Sequence, residues 1–329
     1  MKLVSPTQFI SQASSLARKA EHRIYVMSMV FGDHTETHEL VNELKAAAKR
    51  GVKVVVSADI FTYGEVTNGF LPFRYYNKDV RDTNRMVKDL KRAGVRFKWL
   101  GRGRVTLYNG RTHDKWCVID DHVFSFGGIN LYNQGIKNID YMFKLKDTKL
   151  AARLVQEQER IQKAERNSTN YPSASYEHGD KLVLFDGGII GQSIIYRRAI
   201  ELTEKATSIV FVSQYCPTGK LARLFKKKSV DLYYNSPAHA AGLNKIVVKL
   251  GQMVSRLPTL YKRKEWLHAK FIIFTFEDGS KAAITGSHNF AYTGVLLGTR
   301  EIALETRNSK IIEQLEEFVE TEVKVESNS

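Results

Sequence analysis

An internal duplication limits this chain more than any other feature. His113-Asp-Lys115 leads through an apolar run to Gly127-Gly128-Ile-Asn130, and His268-Ala-Lys270 leads in the same way to Gly286-Ser287-His-Asn289. A lone His-x-Lys means little, but two copies with matching sequels require two halves built alike. On strands, the period of two puts His113, Lys115 and Cys117 on one face and Asp114, Trp116 and Val118 on the other. Two imidazoles, two ammonium groups and two amides then have a common cleft to face.

The surrounding segments repeat too. In the first half the order is a helical stretch from Phe9 to Ala20, an extended run Ile24 to Phe31, a helix from His38 to Arg50 and an extended run Gly51 to Ser57. The second half offers Ile194 to Lys205, Ser208 to Ser213, Leu221 to Lys228 and Val230 to Tyr234 in the same order. Asn84 to Ala93 carries Met86, Val87 and Leu90 on one stripe and stops at Gly94, with Val95 to Leu100 extended after it. Strands alternating with helices predict an α/β fold with two tandem α/β/α sandwiches and mixed sheets covered by helices. At 329 residues two domains are expected. The polar, Pro-bearing stretch 165–175 marks the junction, giving domains 1–168 and 169–329, with the helix from Leu150 to Ala164 able to join either side. The tail after Val325 is expected to fray.

The residue types suit attack on a phosphodiester. Its anionic oxygens repel nucleophiles, so Lys115, Lys270, Asn130 and Asn289 would neutralise them without a metal or other cofactor. One of His113 and His268 would attack phosphorus while the other protonates the leaving alkoxide. Each imidazole needs a carboxylate on its far nitrogen; Asp140 and Glu301 follow the two Asn residues at comparable places. Gly127 and Gly286 permit close backbone approach, Gly128 and Ser287 stand beside the bound phosphate, and Asp120 or Asp278 shapes each hairpin turn. The second hairpin is four residues longer than the first. His122 and His288 are expected to be bystanders. A zinc site is disfavoured, since each cluster offers a single His flanked by a cation.

His-x-Lys, four residues, Asp, six residues and Gly-Gly-x-Asn resembles the signature of the phospholipase D superfamily. His113, Lys115, Asp120, Gly127, Gly128 and Asn130 match throughout; the second copy has Thr275 where Asp is expected, with Asp278 as a shifted substitute. Leu44 to Val54, Leu90 to Val95, Arg111 to Lys115 and Gly127 to Asn130 are similar to the cardiolipin-synthase-like branch. The resemblance implies two domains about a pseudo-twofold axis, a covalent phosphohistidine and no metal. By analogy it makes His113 the nucleophile and His268 the general acid, although the symmetry of the motifs permits the reverse.

Composition ranks the substrates. Lys plus Arg total 50 against 35 Asp plus Glu, a formal charge of +15, which attracts polyanions or anionic lipid surfaces. The branch-like segments and two aromatic-basic stretches, Phe61 to Arg74 and Met253 to Lys264, favour a glycerophospholipid such as phosphatidylglycerol at an anionic membrane surface. Lys226 to Lys228 and Arg102-Gly-Arg104 support the alternative, a nuclease acting on DNA or RNA. A degenerate binding module is a third reading, opposed by intact His and Lys in both copies. The two cysteines cannot form a disulfide framework, and Cys117 reads as a buried thiol. Met1 to Pro6 lacks the apolar core of a leader, and no apolar run reaches about 18 residues. A cytoplasmic protein is expected, its membrane contact peripheral.

Overall fold

A computed structural model describes residues 1–67, 78–101, 110–240 and 242–324, the side chains of 242–244 excepted. Phe70 to Arg74, Arg102 to Arg104 and the tail after Val325, all singled out in the sequence, lie outside these residues.

The first half runs β1 (Lys2–Val4), α1 (Pro6–Lys19), β2 (Arg23–Ser28), α2 (His38–Lys49), β3 (Lys53–Asp59), α3 (Thr62–Thr67), α4 (Lys78–Arg92), β4 (Arg96–Leu100), β5 (Trp116–Ile119), β6 (His122–Ser125), α5 (Asn133–Lys137), β7 (Met142–Lys146) and α6 (Thr148–Arg166). The second runs β8 (Ala174–His178), β9 (Lys181–Gly187), α7 (Ile194–Lys205), β10 (Ser208–Val212), α8 (Gly219–Phe225), β11 (Ser229–Tyr233), α9 (Gly242–Ser255), β12 (Phe271–Thr275), β13 (Lys281–Gly286), α10 (Tyr292–Leu297), β14 (Arg300–Thr306) and α11 (Ser309–Phe318), which continues as a π-helical turn, Val319–Val323.

Each half contains a seven-stranded mixed sheet. The orders are β1-β7-β6-β5-β2-β3-β4 and β8-β9-β14-β13-β12-β10-β11. Six strands correspond one to one, from β1 with β9 to β3 with β11. The extra strand lies beyond β3 in the first sheet and beyond β9 in the second. β2 and β3 are parallel, as are β10 and β11, while the motif hairpins β5–β6 and β12–β13 are antiparallel.

Strand alternation sorts the apolar side chains into layers. Ile24, Val26, Val54, Val56, Cys117 and Ile119 face α1 and α2, whereas Tyr25, Met27, Val55, Trp116 and Val118 face inward. The inward set joins Val183, Phe185, Phe271, Ile273, Ile302 and Leu304 of the other sheet and the buried faces of α6 and α11 in one central core. Burial on both faces explains why these strands read as continuous apolar runs. Local signals fix the helices: Ser5 and Gln8 form a capping box at α1 behind Pro6, and Asp147 caps α6 through Leu150 N–H. The segment after α6 is held by Arg300, whose guanidinium donates to Glu165, the Thr169 carbonyl and Asn170. Among the described residues no helix is long and apolar enough to cross a membrane.

Candidate active site

His113 and Lys115 do not lie on β5, nor His268 and Lys270 on β12; both pairs stand on the extended approach just before the strand. Their backbone groups serve the opposite half instead. His113 N–H donates to the Arg300 carbonyl at 2.8 Å and Arg300 N–H donates to the Arg111 carbonyl at 2.8 Å. The counterpart has His268 N–H donating to the Ile139 carbonyl at 2.9 Å and Ile139 N–H to the Trp266 carbonyl at 3.0 Å. Thr112 thus bridges Arg300, and Leu267 bridges Ile139. In both bridges the residue before a histidine meets the residue before a carboxylate of the other half.

The side chains continue this exchange. His113 Nδ1 lies 2.9 Å from Glu301 Oε2, and His268 Nδ1 lies 2.7 Å from Asp140 Oδ2. All four residues are buried. A hydrogen bond from Nδ1 to carboxylate leaves Nε2 as the nitrogen available for chemistry. The symmetry does not extend to what supports each carboxylate. Asp140 accepts from the Gly128 and Tyr141 N–H groups, at 3.1 and 2.8 Å. Glu301 accepts from the Ser287 hydroxyl, which itself accepts from Ile302 N–H at 3.0 Å. The Ser287 hydroxyl, expected beside phosphate, is therefore committed to Glu301. A Cβ at Gly128 would stand 2.7 Å from Asp140 Oδ2, so only the bare backbone admits that carboxylate.

Each lysine folds back on the carbonyl two residues before it. Lys115 Nζ donates to His113 O at 2.7 Å, and Lys270 Nζ to His268 O at 2.5 Å with His268 Nδ1 at 3.2 Å. Burial pushes Lys115 down to about 8 and Lys270 to about 7, against the pull of Glu301 and Asp140. Burial, then the Lys270 charge, lowers His268 to about 3; burial also lowers His113, opposed by Glu301. Burial works to raise Glu301, but the charge and hydrogen bond of His113 hold it at about 2. The free site near neutral pH therefore has neutral imidazoles, with Glu301 charged beside His113. Burial makes both lysines easier to deprotonate than usual, with the Glu301 and Asp140 charges opposing it.

The two amides are held differently. Asn130 Oδ1 accepts from Val30 N–H at 3.4 Å, while at Asn289 it is the main-chain carbonyl that accepts, from the Ser213 hydroxyl at 3.0 Å. Asn289 Oδ1 is buried without a hydrogen-bond partner. Gly127 and Gly286 are places of close approach: a Cβ would lie 1.7 Å from the Tyr141 carbonyl oxygen and 2.2 Å from that of Ile302. Asp120 takes the Glu21, His22 and Arg23 N–H groups and so ties the first hairpin to β2. Asp278 does not reach that place, since its bonds stay within its own turn, to Ser280. The Thr275 carbonyl accepts from Thr207 N–H at 2.8 Å instead, and backbone does for β10 what the Asp120 side chain does for β2.

Three features escape a reading of the motifs. His288 is buried against Tyr196 and Phe290, with its Nδ1 accepting from Phe290 N–H at 2.8 Å. Arg300 is fully buried beside Glu301. Thr285 joins the halves by donating to the Phe126 carbonyl at 2.7 Å and bonding the Tyr141 hydroxyl at 2.6 Å. The one sequence hint was position: His288, Arg300 and Thr285 each adjoin or closely precede a site residue. Among the described residues no group of three or more His, Cys, Asp or Glu is placed to hold a metal ion.

Residues 14–162 match the family described as cardiolipin synthase, PLD-like domain. The whole architecture is similar to the crystal structure of phosphatidylserine synthase from Haemophilus influenzae Rd KW20: TM-score 0.73 at 15% identity, covering 96% of this chain and 84% of that one. Polyphosphate kinase from Porphyromonas gingivalis shares the fold at TM-score 0.63 and 13% identity; the match covers 97% of this chain and 49% of that one. No curated protein sequence matches the chain.

Proposed function

We propose that the chain is a phospholipase D-type phosphatidyltransferase or phosphodiesterase acting on glycerophospholipids, with cardiolipin-synthase-like transfer between phosphatidylglycerol molecules as the leading reaction. The observation that carries the chemistry is the exchange of carboxylates: His113 on Glu301 and His268 on Asp140, each across the junction of the halves. The lipid reading is supported by the match of residues 14–162 to the cardiolipin synthase, PLD-like domain family and by the fold shared with a phosphatidylserine synthase. We assign residues 1–168 and 169–329 to the two domains.

In this reading the phosphodiester sits between the histidines, its oxygens neutralised by Lys115, Lys270, Asn130 and Asn289. His113 Nε2 attacks phosphorus, the bond to the leaving alcohol breaks, and His268 supplies that alcohol's proton. Burial, then the Lys270 charge, disfavours a proton on His268 in the free site; the anionic phosphodiester opposes both, and His268 takes up a proton from solvent at Nε2 as substrate binds, before it serves as the acid. An acceptor alcohol then gives its proton to His268 and attacks phosphorus, breaking the P–N bond and releasing His113. Asp140, Glu301 and Ser287 act as positioning residues, Gly127, Gly128, Gly286 and Asp120 as the frame. Asp278 has no part in the site.

The test uses purified protein and chelator, with labelled phosphatidylglycerol vesicles in one arm and DNA and RNA in the others. Formation of cardiolipin or phosphatidic acid is expected. Cleavage of nucleic acid with the lipid untouched would overturn the assignment.

A further inference from the structure

The apolar face of α9 points the wrong way for a helix of a folded protein. Val248 and Ser255 are buried against the body, yet Ile246, Val247, Leu250, Met253 and Val254 are exposed, the last at 72%. Their spacing of one, four, seven and eight residues makes a continuous outward stripe. Met253 to Lys264 drew attention in the sequence for its aromatic-basic character. In the fold, Tyr261 is buried and donates to the Glu265 carbonyl, while Met253 and Val254, which open that stretch, end the α9 stripe and Leu260 is exposed beyond them.

The stripe adjoins the site. The excursion that carries α9 leaves at Asn235 and returns at Leu267, the residue before His268. Asn235 closes it by donating to the Gln214 and Leu267 carbonyls at 2.9 and 2.7 Å. Gly251 packs against Cys216, and the nearby Thr218 hydroxyl accepts from Tyr292 N–H at the start of α10. There Tyr292, Leu296 and Leu297 are exposed, as is Ile190, whose backbone packs against Gly298. The Leu297 carbonyl accepts from Gly110 N–H on the approach to His113. Exposed apolar groups therefore border the approaches to both histidines.

Charge identifies the occupant. From 232 to 264 the chain contains Lys245, Lys249, Arg256, Lys262, Arg263 and Lys264 and no Asp or Glu. Lys245 and Lys249 flank the stripe on α9. Arg263 is paired with Glu265 and Glu322, but Lys245 and Lys249 are exposed beside the stripe; an apolar surface edged by these lysines fits an anionic bilayer, with the side chains in the acyl boundary and the ammonium groups at the headgroups. We infer that α9, with α10 beside it, is a membrane-docking element that seats the mouth of the site on an anionic lipid surface. This rests on the phospholipid reading for its biological sense and on the exposed stripe for its physics.

The experiment is co-sedimentation of the full chain with vesicles of phosphatidylglycerol mixed into phosphatidylcholine, and with phosphatidylcholine alone. Binding to the anionic vesicles that weakens with salt is expected. Leu250→Asp with Val254→Asp should weaken it at least tenfold at an unchanged melting temperature, both side chains being exposed. Turnover of a short-chain phosphatidylglycerol kept below its micellar concentration should be the same in wild type and variant. Equal vesicle binding by the variant, or no binding by the wild type, would overturn the proposal. So would a dimer that the variant dissociates while neither form binds vesicles, which would make the stripe an interface between copies. Vesicle binding through α9 without lipid turnover would retire the reaction and keep the docking face.

Discussion

At the scale of the residue, the site depends on who orients whom. His113 and His268 are each held by a carboxylate from the opposite half, so Glu301→Gln should impair the His113 step and Asp140→Asn the His268 step. We expect each to lower kcat by 10²–10⁴-fold, the range of positioned acid–base catalysis, with KM for a soluble lipid little changed. Ser287→Ala removes a hydroxyl donor from Glu301 alone and should shift the pH profile of a Glu301-dependent step without affecting Asp140→Asn. Gly127→Ala puts a methyl against the Tyr141 carbonyl and should cost about 3 kcal/mol, read from the urea midpoint. The histidines, lysines and amides were legible because their spacing is repeated. The exchange of carboxylates was not, since Asp140 and Glu301 each follow their own Asn in sequence and only the backbone bridges carry them across.

pH linkage belongs to the same scale. His268 is lowered from 6.5 to about 3, Glu301 from 4.5 to about 2 and Lys270 from 10.5 to about 7. In each case the unfolded chain binds the proton more tightly, so stability grows as pH rises through the interval. Urea midpoints should climb from about pH 3 to 6.5 through His268, and His268→Gln should flatten that limb. If the variant's midpoints follow wild type across that range, His268 is not the group responsible. Phosphate binding at pH 8 should take up protons as the lysines charge fully, a sign that calorimetry in buffers of different ionisation enthalpy reads directly.

Elements show which local rules held and which yielded. The strands β2, β3, β10 and β11 and helices α1, α2, α6 and α7 lie close to where apolar periodicity and caps put them. The starts of β5 and β12 do not: extended sequence continues upstream, but its hydrogen bonds go to the other half. Asp120 shows a motif residue fixing an element, and Thr275 shows backbone doing so without one. Asp120→Ala removes three hydrogen bonds at the head of β2. We expect a loss of about 2 kcal/mol, while Asp278→Ala, on an exposed turn, should leave the melting temperature within a degree or two.

Taken whole, the molecule is two similar sheets around one core. The central layer draws side chains from both halves, and Arg300 ties the intervening segment to the same region. One cooperative calorimetric transition is therefore expected, with van't Hoff and calorimetric enthalpies equal. Two resolved transitions would mean that the shared core contributes less than each half's own. Duplication was legible from the sequence, as was the layering of sheet and helix. The shared core was not, because the inward faces of the strands read the same whether they meet a helix or another sheet.

Trapping the phosphoenzyme tests the central claim most directly. Wild-type protein quenched during turnover of phosphatidylglycerol labelled at phosphorus should carry acid-labile label on His113. The label should be absent from His113→Asn and should persist in His268→Asn, where departure of the covalent group is slowed. Lipid turnover by His113→Asn, or a label that survives this substitution, would contradict the assignment of nucleophile and acid across the exchanged pairs.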